Sequence, residues 1–207
     1  GEVPARVLCG AYFIASSLGR AGAWTDFVEL GVASWLKSGT VPDFAVGNGG
    51  TEWATSVSPS DYSCVLAVGA TSKDDQICPF SSRGPSANAS GYSPLPPSLV
   101  APGLEIAGPP YDADTDYKAY RGTSQAAPHV AGAAAVLLSA APASSISGSP
   151  SPADVALALY KAAATASLKE PAREDTCGGL AWSTYPNYIY GNGRLDVYAA
   201  LGALRNM

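Results

Sequence analysis

The sequence predicts an α/β fold around a mostly parallel sheet, because apolar segments of strand character alternate along the chain with segments of helical character. Val65–Ala70 is a continuous apolar run, which is typical of a strand covered on both faces. Thr123–Ala140 is almost entirely small and apolar, which indicates a buried helix. The 207 residues, 47% of them hydrophobic and 14% charged, suffice for one domain with a substantial core.

The start of the chain predicts two strands separated by a helix. Val7–Ala15 is apolar and contains β-branched and aromatic residues, so we expect a buried strand. Thr25 is placed to cap a helix with one apolar face, which ends just before Gly39. Phe44–Val46 is then a short strand that the chain enters through Pro42.

The second half predicts further strands followed by helices. Leu99–Ala107 contains one or two strands, and the apolar helix Thr123–Ala140 comes next. Ser151 is placed to cap another helix, with Pro152 at its first position. A last short helix begins near Asp196.

Charge and residue counts exclude several classes of function. The 12 Lys and Arg residues against 17 Asp and Glu give a net charge of -5, which argues against a nucleic-acid partner. No stretch approaches the roughly 18 apolar residues of a membrane span. His129 is the only histidine, so no His-rich zinc site is expected. The cysteines are too scattered for a CxxC metal site and allow three internal disulfide pairings or ordinary thiols; they are Cys9, Cys64, Cys78 and Cys177.

A serine lies at the start of the most apolar helix. Ser124 follows Gly122 and Thr123, where unpaired backbone N–H groups and the helix dipole produce a positive field. Such groups can hold a developing oxyanion. A lone serine at this position is usually a simple helix cap, so the surrounding motif has to decide between the two roles.

That motif resembles one known family. Arg121–Gly132 has the sequence RGTSQAAPHVAG, which closely resembles the nucleophile motif of the subtilisin-like serine proteases, the subtilases. Five further segments, the first of which is A-V-G-N, resemble family motifs and occur in the family's order. One of them, FSSRGPS, resembles the corresponding segment of the bacillopeptidase-like branch. These segments are Ala45–Asn48, Val65–Ala70, Phe80–Ser86, Ala101–Gly103 and Tyr190–Ala199.

The resemblance implies catalytic roles for three residues. Ser124 would be the nucleophile that attacks the scissile carbonyl. Asn48 would donate its side-chain amide to the oxyanion, together with the backbone N–H of Ser124. Thr123 would assist at the same site.

The resemblance also implies a peptide-binding cleft. One segment would pair with the substrate backbone as an added strand, and it consists of Ser17, Leu18 and Gly19. Another would form a wall of the pocket that binds the substrate side chain just before the scissile bond, and it consists of Ala45, Val46 and Gly47. Val57 would lie near the base of that pocket and restrict it to small or medium side chains.

The family's catalytic aspartate and histidine have no counterpart here. In the family both precede the S-L-G strand, in D-[ST]-G and H-G-T segments that this sequence lacks. His129 matches a structural histidine, and its offset of five residues from Ser124 turns the two side chains about 140° apart on a helix. The resemblance therefore identifies residues 1–207 as the C-terminal portion of a single subtilase catalytic domain, with a subtilisin-like three-layer α/β fold.

Three interpretations of function follow. In the first, the chain supplies the nucleophile and oxyanion hole of a serine endopeptidase, and the N-terminal half of the same domain or another protein chain supplies Asp and His. In the second, a catalytically inactive subtilase-like domain has a structural or interaction role. In the third, the chain is a fragment of an ordinary protease. Ser124, Thr123 and Asn48 together favour an active parent, because a scaffold has no need for that amide.

The remaining expectations concern location and metals. The family and the sequon at Asn88 favour a secreted or extracellular glycoprotein. Calcium is a cofactor only by family resemblance, and no residue is assigned as a metal ligand. An acidic stretch resembles the start of a calcium loop, but Tyr117 and Thr123 stand where the loop needs Gly and Glu, so we expect a solvated turn there. The acidic residues are Asp112, Asp114 and Asp116.

Overall fold

A four-stranded parallel sheet organises the chain. The computed structural model describes residues 6–12, 23–62, 64–86, 96–112, 114–140, 150–172 and 179–207. The strands lie in chain order as β1 (Val7–Gly10), β2 (Val41–Ala45), β3 (Leu66–Thr71) and β4 (Leu99–Pro102). The helices are α1 (Ala23–Lys37), α2 (Thr123–Ala140), α3 (Pro152–Ala162) and α4 (Val197–Arg205). A separate antiparallel pair consists of β5 (Ile106–Gly108) and β6 (Lys118–Tyr120).

Helices cover both faces of the sheet. α2 packs across all four strands, and α3 and α4 pack beside it, so that the main core lies under α2. α1 covers the opposite face at β2, where Val32 packs with Phe44 and Val65. The result is the predicted three-layer α/β fold, in which β2 and β3 are buried on both faces.

The start of α2 is tied to the carboxyl end of the sheet by backbone hydrogen bonds. The N–H of Gly103, just after β4, donates to the carbonyl of Thr71 at the end of β3 (2.9 Å). The N–H of Gly122, just before α2, donates to the carbonyl of Gly103 (2.8 Å). The first turn of α2 therefore lies at the edge of the sheet where β-strands of α/β proteins present functional groups.

The predicted helix starts in the second half are confirmed. Ser151 caps α3 in a capping box, in which its hydroxyl accepts from the N–H of Asp154 and the Asp154 carboxylate accepts from the N–H of Ser151. Asp196 caps α4 by accepting from the N–H of Ala199. Short polar side chains before an apolar helix thus define both boundaries.

Several predicted boundaries are wrong. α1 begins at Ala23, so Thr25 lies inside the helix and is not its cap. β2 begins at Val41 and includes Pro42, which pairs with Leu8 of β1. The segment 7–15 is a strand only as far as Gly10, and residues 13–15 lie outside the described ranges. The sequence also missed β6, because three residues without apolar alternation carry no strand pattern.

The described cysteines are free thiols. Cys9 and Cys64 are exposed, Cys78 is buried, and none of the three forms a disulfide. Cys177 lies outside the described residues. Nor do the described ranges contain a helix long and apolar enough to cross a membrane, or a group of three side chains suited to hold a metal ion.

The centre of β2 contains a buried carboxyl group. Asp43 is 0% exposed, and neither of its oxygens has a hydrogen-bond partner among the described residues. Cys9 lies beside it on β1, without hydrogen-bond geometry. Burial raises the pKa of Asp43 to about 8, which the nearby thiol lowers only in part. Burial and the Asp43 charge also raise the pKa of Cys9, to about 12.

We expect Asp43 to make the protein less stable as the pH rises. The unfolded chain loses the proton near the ordinary pKa of 3.8, whereas the folded chain keeps it up to about pH 8. The free energy of unfolding therefore falls between these values by on the order of a few kcal/mol and is flat above them. Asp43→Asn removes this dependence. In urea unfolding, the free energy of unfolding of the variant should therefore rise relative to that of the wild type as the pH increases from 5 to 9.

Asp154→Asn provides a control of opposite sign. The Ser151 hydroxyl and N–H hold the pKa of Asp154 below its ordinary value of 3.8, so the stability that this carboxylate contributes is fully present above that value and is lost as the pH falls through the lower folded-state pKa. Its replacement should lower stability at neutral pH. A difference between Asp43→Asn and wild type that does not change with pH would contradict the assignment for Asp43.

Candidate active site

Gly122 sets the backbone where α2 begins. Its φ of +149° lies in a region that favours glycine, and a β-carbon there would lie 2.9 Å from Oε1 of Gln125. With its N–H bonded to Gly103, Gly122 turns the chain so that Thr123 and Ser124 open the helix. Thr123 is fully buried and Ser124 half-buried, so only the second faces the surface.

Asn48 joins the end of β2 to this helix start. It lies three residues beyond β2, and its Oδ1 accepts both from the backbone N–H of Thr123 (2.9 Å) and from the Thr123 hydroxyl (3.0 Å). These two bonds fix the orientation of the amide and leave its Nδ2 donors without an acceptor among the described residues. Asn48 is exposed, so these donors face an open site.

Two N–H donors converge beside Gly122. Nδ2 of Asn48 lies 3.5 Å, and the backbone nitrogen of Ser124 lies 3.6 Å, from the point that a β-carbon on Gly122 would occupy. The Ser124 nitrogen is also one of the helix N–H groups that lack a partner within the helix. Two converging donors at a positive helix end are suited to stabilise an oxygen that becomes negatively charged.

The hydroxyl of Ser124 contacts a backbone carbonyl. Its Oγ donates to the carbonyl oxygen of Ala11, which follows β1 (3.2 Å). His129 lies on the same helix, where its Nδ1 is 2.8 Å from the carbonyl oxygen of Gln125. It is exposed, and it lies five residues after Ser124 on the same helix.

The predicted pocket segment lies next to Val57. Gly47 has φ +108°, and a β-carbon there would lie 2.8 Å from Cγ2 of Val57. The N–H of Val57 donates to the carbonyl of Val46 (3.2 Å), which holds the two segments together. Ala45, in contrast, packs in the main core under α2.

Some predicted sites lie outside the described residues. They are the substrate-strand residues Ser17, Leu18 and Gly19, and the sequon residue Asn88.

A pocket of about 510 Å³ adjoins the converging donors, and sequence reasoning missed it. It is lined by Asn48, Pro79, Phe80, Leu104, Arg121 and Gly122. Phe80 belongs to the FSSRGPS segment and Leu104 follows the A-P-G segment, so the motifs themselves were the available signal. Nothing in their local pattern indicates that these residues meet across the helix start.

The fold is of the α/β class, with an asparagine after a strand end bonded to the start of a helix that holds a serine. The model of the subtilase family matches residues 5–193, and the chain belongs to that family.

Relatives of known sequence agree with this assignment. Subtilisin-like protease SBT6.1 of Arabidopsis thaliana is 38% identical over 122 residues, which are 58% of this chain and 12% of the relative. Subtilisin E of Bacillus subtilis is 39% identical over 109 residues, which are 52% of this chain and 26% of the relative. The matched segments thus cover only a minor part of these relatives. Membership of the bacillopeptidase-like branch stays a prediction.

Solved structures support the fold. The prenylagaramide maturation protease PagA superimposes with a TM-score of 0.70 at 24% identity, over 96% of this chain and 62% of that chain. The self-cleaved protease domain of PatA gives a TM-score of 0.64 at 24% identity, over 97% of this chain and 62% of that chain. The chain therefore spans about three-fifths of the length of these subtilisin-like folds.

The link between Asn48 and Thr123 can be tested by stability. Asn48→Ala removes the acceptor of two hydrogen bonds, and we expect it to lower the free energy of unfolding by about 1–2 kcal/mol. Asn48→Asp keeps an oxygen facing Thr123 and places a negative charge at a helix start, so it should retain most of that stability. Urea unfolding of the two variants measures the difference; equal losses would contradict the bonding pattern.

Proposed function

We propose that this chain supplies the nucleophile and the oxyanion donors of a subtilisin-like serine endopeptidase. The aspartate and histidine come from the N-terminal half of the same catalytic domain or from another protein chain. We use the term parent protein for this chain together with the segment that supplies the aspartate and histidine. The observation that carries the proposal is that Asn48 Nδ2 and the Ser124 N–H both lie near one point beside Gly122, at the helix start that holds Ser124.

The proposed reaction uses these groups in one order. The Ser124 oxygen attacks the carbonyl carbon of the scissile peptide bond while its proton passes to the histidine of the complementing segment. The carbonyl oxygen becomes negative and accepts from Asn48 and from the Ser124 N–H. The leaving amine then takes the proton from the histidine, and water repeats the sequence on the acyl-enzyme.

The edge of the sheet supports a contribution from outside these residues. β1 is an edge strand of the described sheet, so one side of its backbone has no strand partner there. Ala11, which accepts from Ser124, follows the carboxyl end of that strand. A parallel strand added beside β1 would end close to Ser124, where a general base is required.

A structural or interaction role is the second candidate. It is favoured by the hydrogen bond from Ser124 to the Ala11 carbonyl, because a serine held by a carbonyl has no base to activate it. Under this alternative the parent protein has no Ser124-dependent activity.

The location stays a proposal as well. The family relationship and the sequon at Asn88 favour a secreted or extracellular parent protein, and peptide-N-glycosidase treatment of the natural protein would reveal a glycan by a change in mass.

We expect the isolated 207-residue chain to hydrolyse no peptide, and the parent protein to do so. A serine without a base is a weak nucleophile. Turnover of quenched fluorescent peptides and labelling by a fluorophosphonate measure both forms, with Ser124→Ala as the blank. Asn48→Asp in the parent protein should lower kcat about 10²–10³-fold, a figure for one lost donor that comes from a subtilisin.

Two results would reject the proposal. One is Ser124-dependent turnover by the isolated chain. The other is a folded parent protein whose Ser124 neither reacts with the probe nor cleaves any peptide, which would favour the structural role.

Val57 is proposed to limit the pocket for the side chain before the cut. Its Cγ2 faces the backbone of Gly47, so Val57→Gly should open that space to larger side chains. We expect kcat/KM for Phe or Tyr before the cut to rise about 10–200-fold relative to Ala. Val57→Thr keeps the volume and serves as the control. Cleavage profiles of the parent protein decide: an unchanged ranking in Val57→Gly would remove Val57 from the pocket.

A further inference from the structure

A second pocket shares its wall with the oxyanion donors. The 510 Å³ pocket includes Asn48 and Gly122 but none of the residues Ala45–Gly47 and not Val57. Its volume is in the range of small-ligand and side-chain sites. It is therefore separate from the pocket proposed for the residue before the cut, although both adjoin Asn48.

This arrangement assigns the two pockets to opposite flanks of a bound peptide. Under the proposed function, a peptide whose scissile carbonyl lies between Asn48 Nδ2 and the Ser124 N–H would have its acyl flank at the pocket proposed beside Gly47 and Val57. The chain on the other side of the bond then continues toward Phe80, Leu104 and Arg121. The second pocket thus receives a residue after the cut.

The lining of this pocket combines apolar walls with one cation. Pro79, Phe80 and Leu104 are apolar, and Arg121 is the only charged side chain that the described residues contribute to the lining. A guanidinium stays protonated at all working pH values and presents paired N–H donors that match a carboxylate. Arg121 also departs from the family motif, which has a small polar residue before Gly122.

The charge of Arg121 is not used by the described part of the protein. It is exposed and forms neither an ion pair nor a side-chain hydrogen bond with any described residue. Asp112, at the far end of the β5–β6 pair, is bound instead by Lys118 (3.3 Å). Glu105, just before β5, is exposed and within the described ranges makes no ion pair with Arg121.

We propose that Arg121 binds a carboxylate of the substrate in this pocket, which makes the enzyme prefer peptides with an acidic side chain shortly after the cut. The inference rests on the proposed function, because it needs a peptide bound across Asn48 and Ser124. A free C-terminal carboxylate of a short peptide offers the same chemistry, and the experiment separates the two sources.

Binding to the parent protein carrying Ser124→Ala tests the proposal without turnover. Fluorescence anisotropy measures the Kd of peptide pairs that differ by Glu and Gln at each of three positions after the cut. A second pair differs by a C-terminal carboxylate or amide. A charge-assisted pair at a half-open site corresponds to about 10-fold in Kd, so we expect one Glu peptide to bind about that much more tightly than its Gln partner.

Variants assign the preference to Arg121. Arg121→Gln should abolish the Glu preference, and Arg121→Glu should replace it with a preference for Lys. Lys118→Gln, a basic residue on the same pair of strands, is the matched control and should leave the preference unchanged. Glu105→Gln should increase it, because a nearby competing charge is removed.

The outcomes separate this inference from the function it rests on. If Glu and Gln peptides bind with equal affinity, the proposed role of Arg121 is wrong, whereas the proposed peptide cleft is still supported. A preference only for the free C-terminal carboxylate overturns the side-chain assignment. If no peptide binds at all, the proposed function fails, and the inference fails with it.

Discussion

The hydrogen bonds between Asn48 and Thr123 are the contact on which the site depends. They connect the loop after a buried strand to the first turn of α2, a helix that buries one face against the sheet, and the two bonded residues are 75 positions apart in sequence. The same bonds that hold the helix orient the amide, because Oδ1 is bonded to Thr123 and Nδ2 has no acceptor among the described residues. A single side chain therefore couples the packing of the core to the direction of an N–H donor.

The division of labour in the proposed enzyme follows the layers of the fold. The helix start and the strand end provide groups that stabilise negative charge, and both are fixed by backbone hydrogen bonds. The group that would accept a proton has to come from beyond β1, at the edge of the described sheet. Electrostatic stabilisation and proton transfer are thus assigned to two structural units that meet at Ser124.

The sequence predicted what local chemistry determines. The cap at Ser151 was accessible, because a short polar residue before an apolar helix is a local pattern. The expectation that Asn48 and Ser124 belong to one site came only from the resemblance of two separate motifs to the subtilases. The sequence did not predict the strand Lys118–Tyr120, because three residues without apolar alternation carry no strand pattern. It also did not predict the burial of Asp43, because that depends on strands distant in sequence, such as β1. The pocket beside Asn48 was missed for the same reason, since separate loops meet there only after folding.

The backbone hydrogen bonds of Gly103 to Thr71 and Gly122 have a consequence for which sequence changes this fold can accept. A β-carbon at this position would lie 2.6 Å from the Ala70 methyl group and 2.7 Å from the Gly122 carbonyl, so the helix and the sheet are in contact through the backbone itself. Their spacing does not depend on the side chains that line the neighbouring pockets. Under the proposed function, substitutions at Val57 or Arg121 would therefore change which peptides are accommodated while the spacing of helix and sheet stays constant. In such an enzyme, specificity could drift in evolution without a matching change in the positions of Asn48 and Ser124.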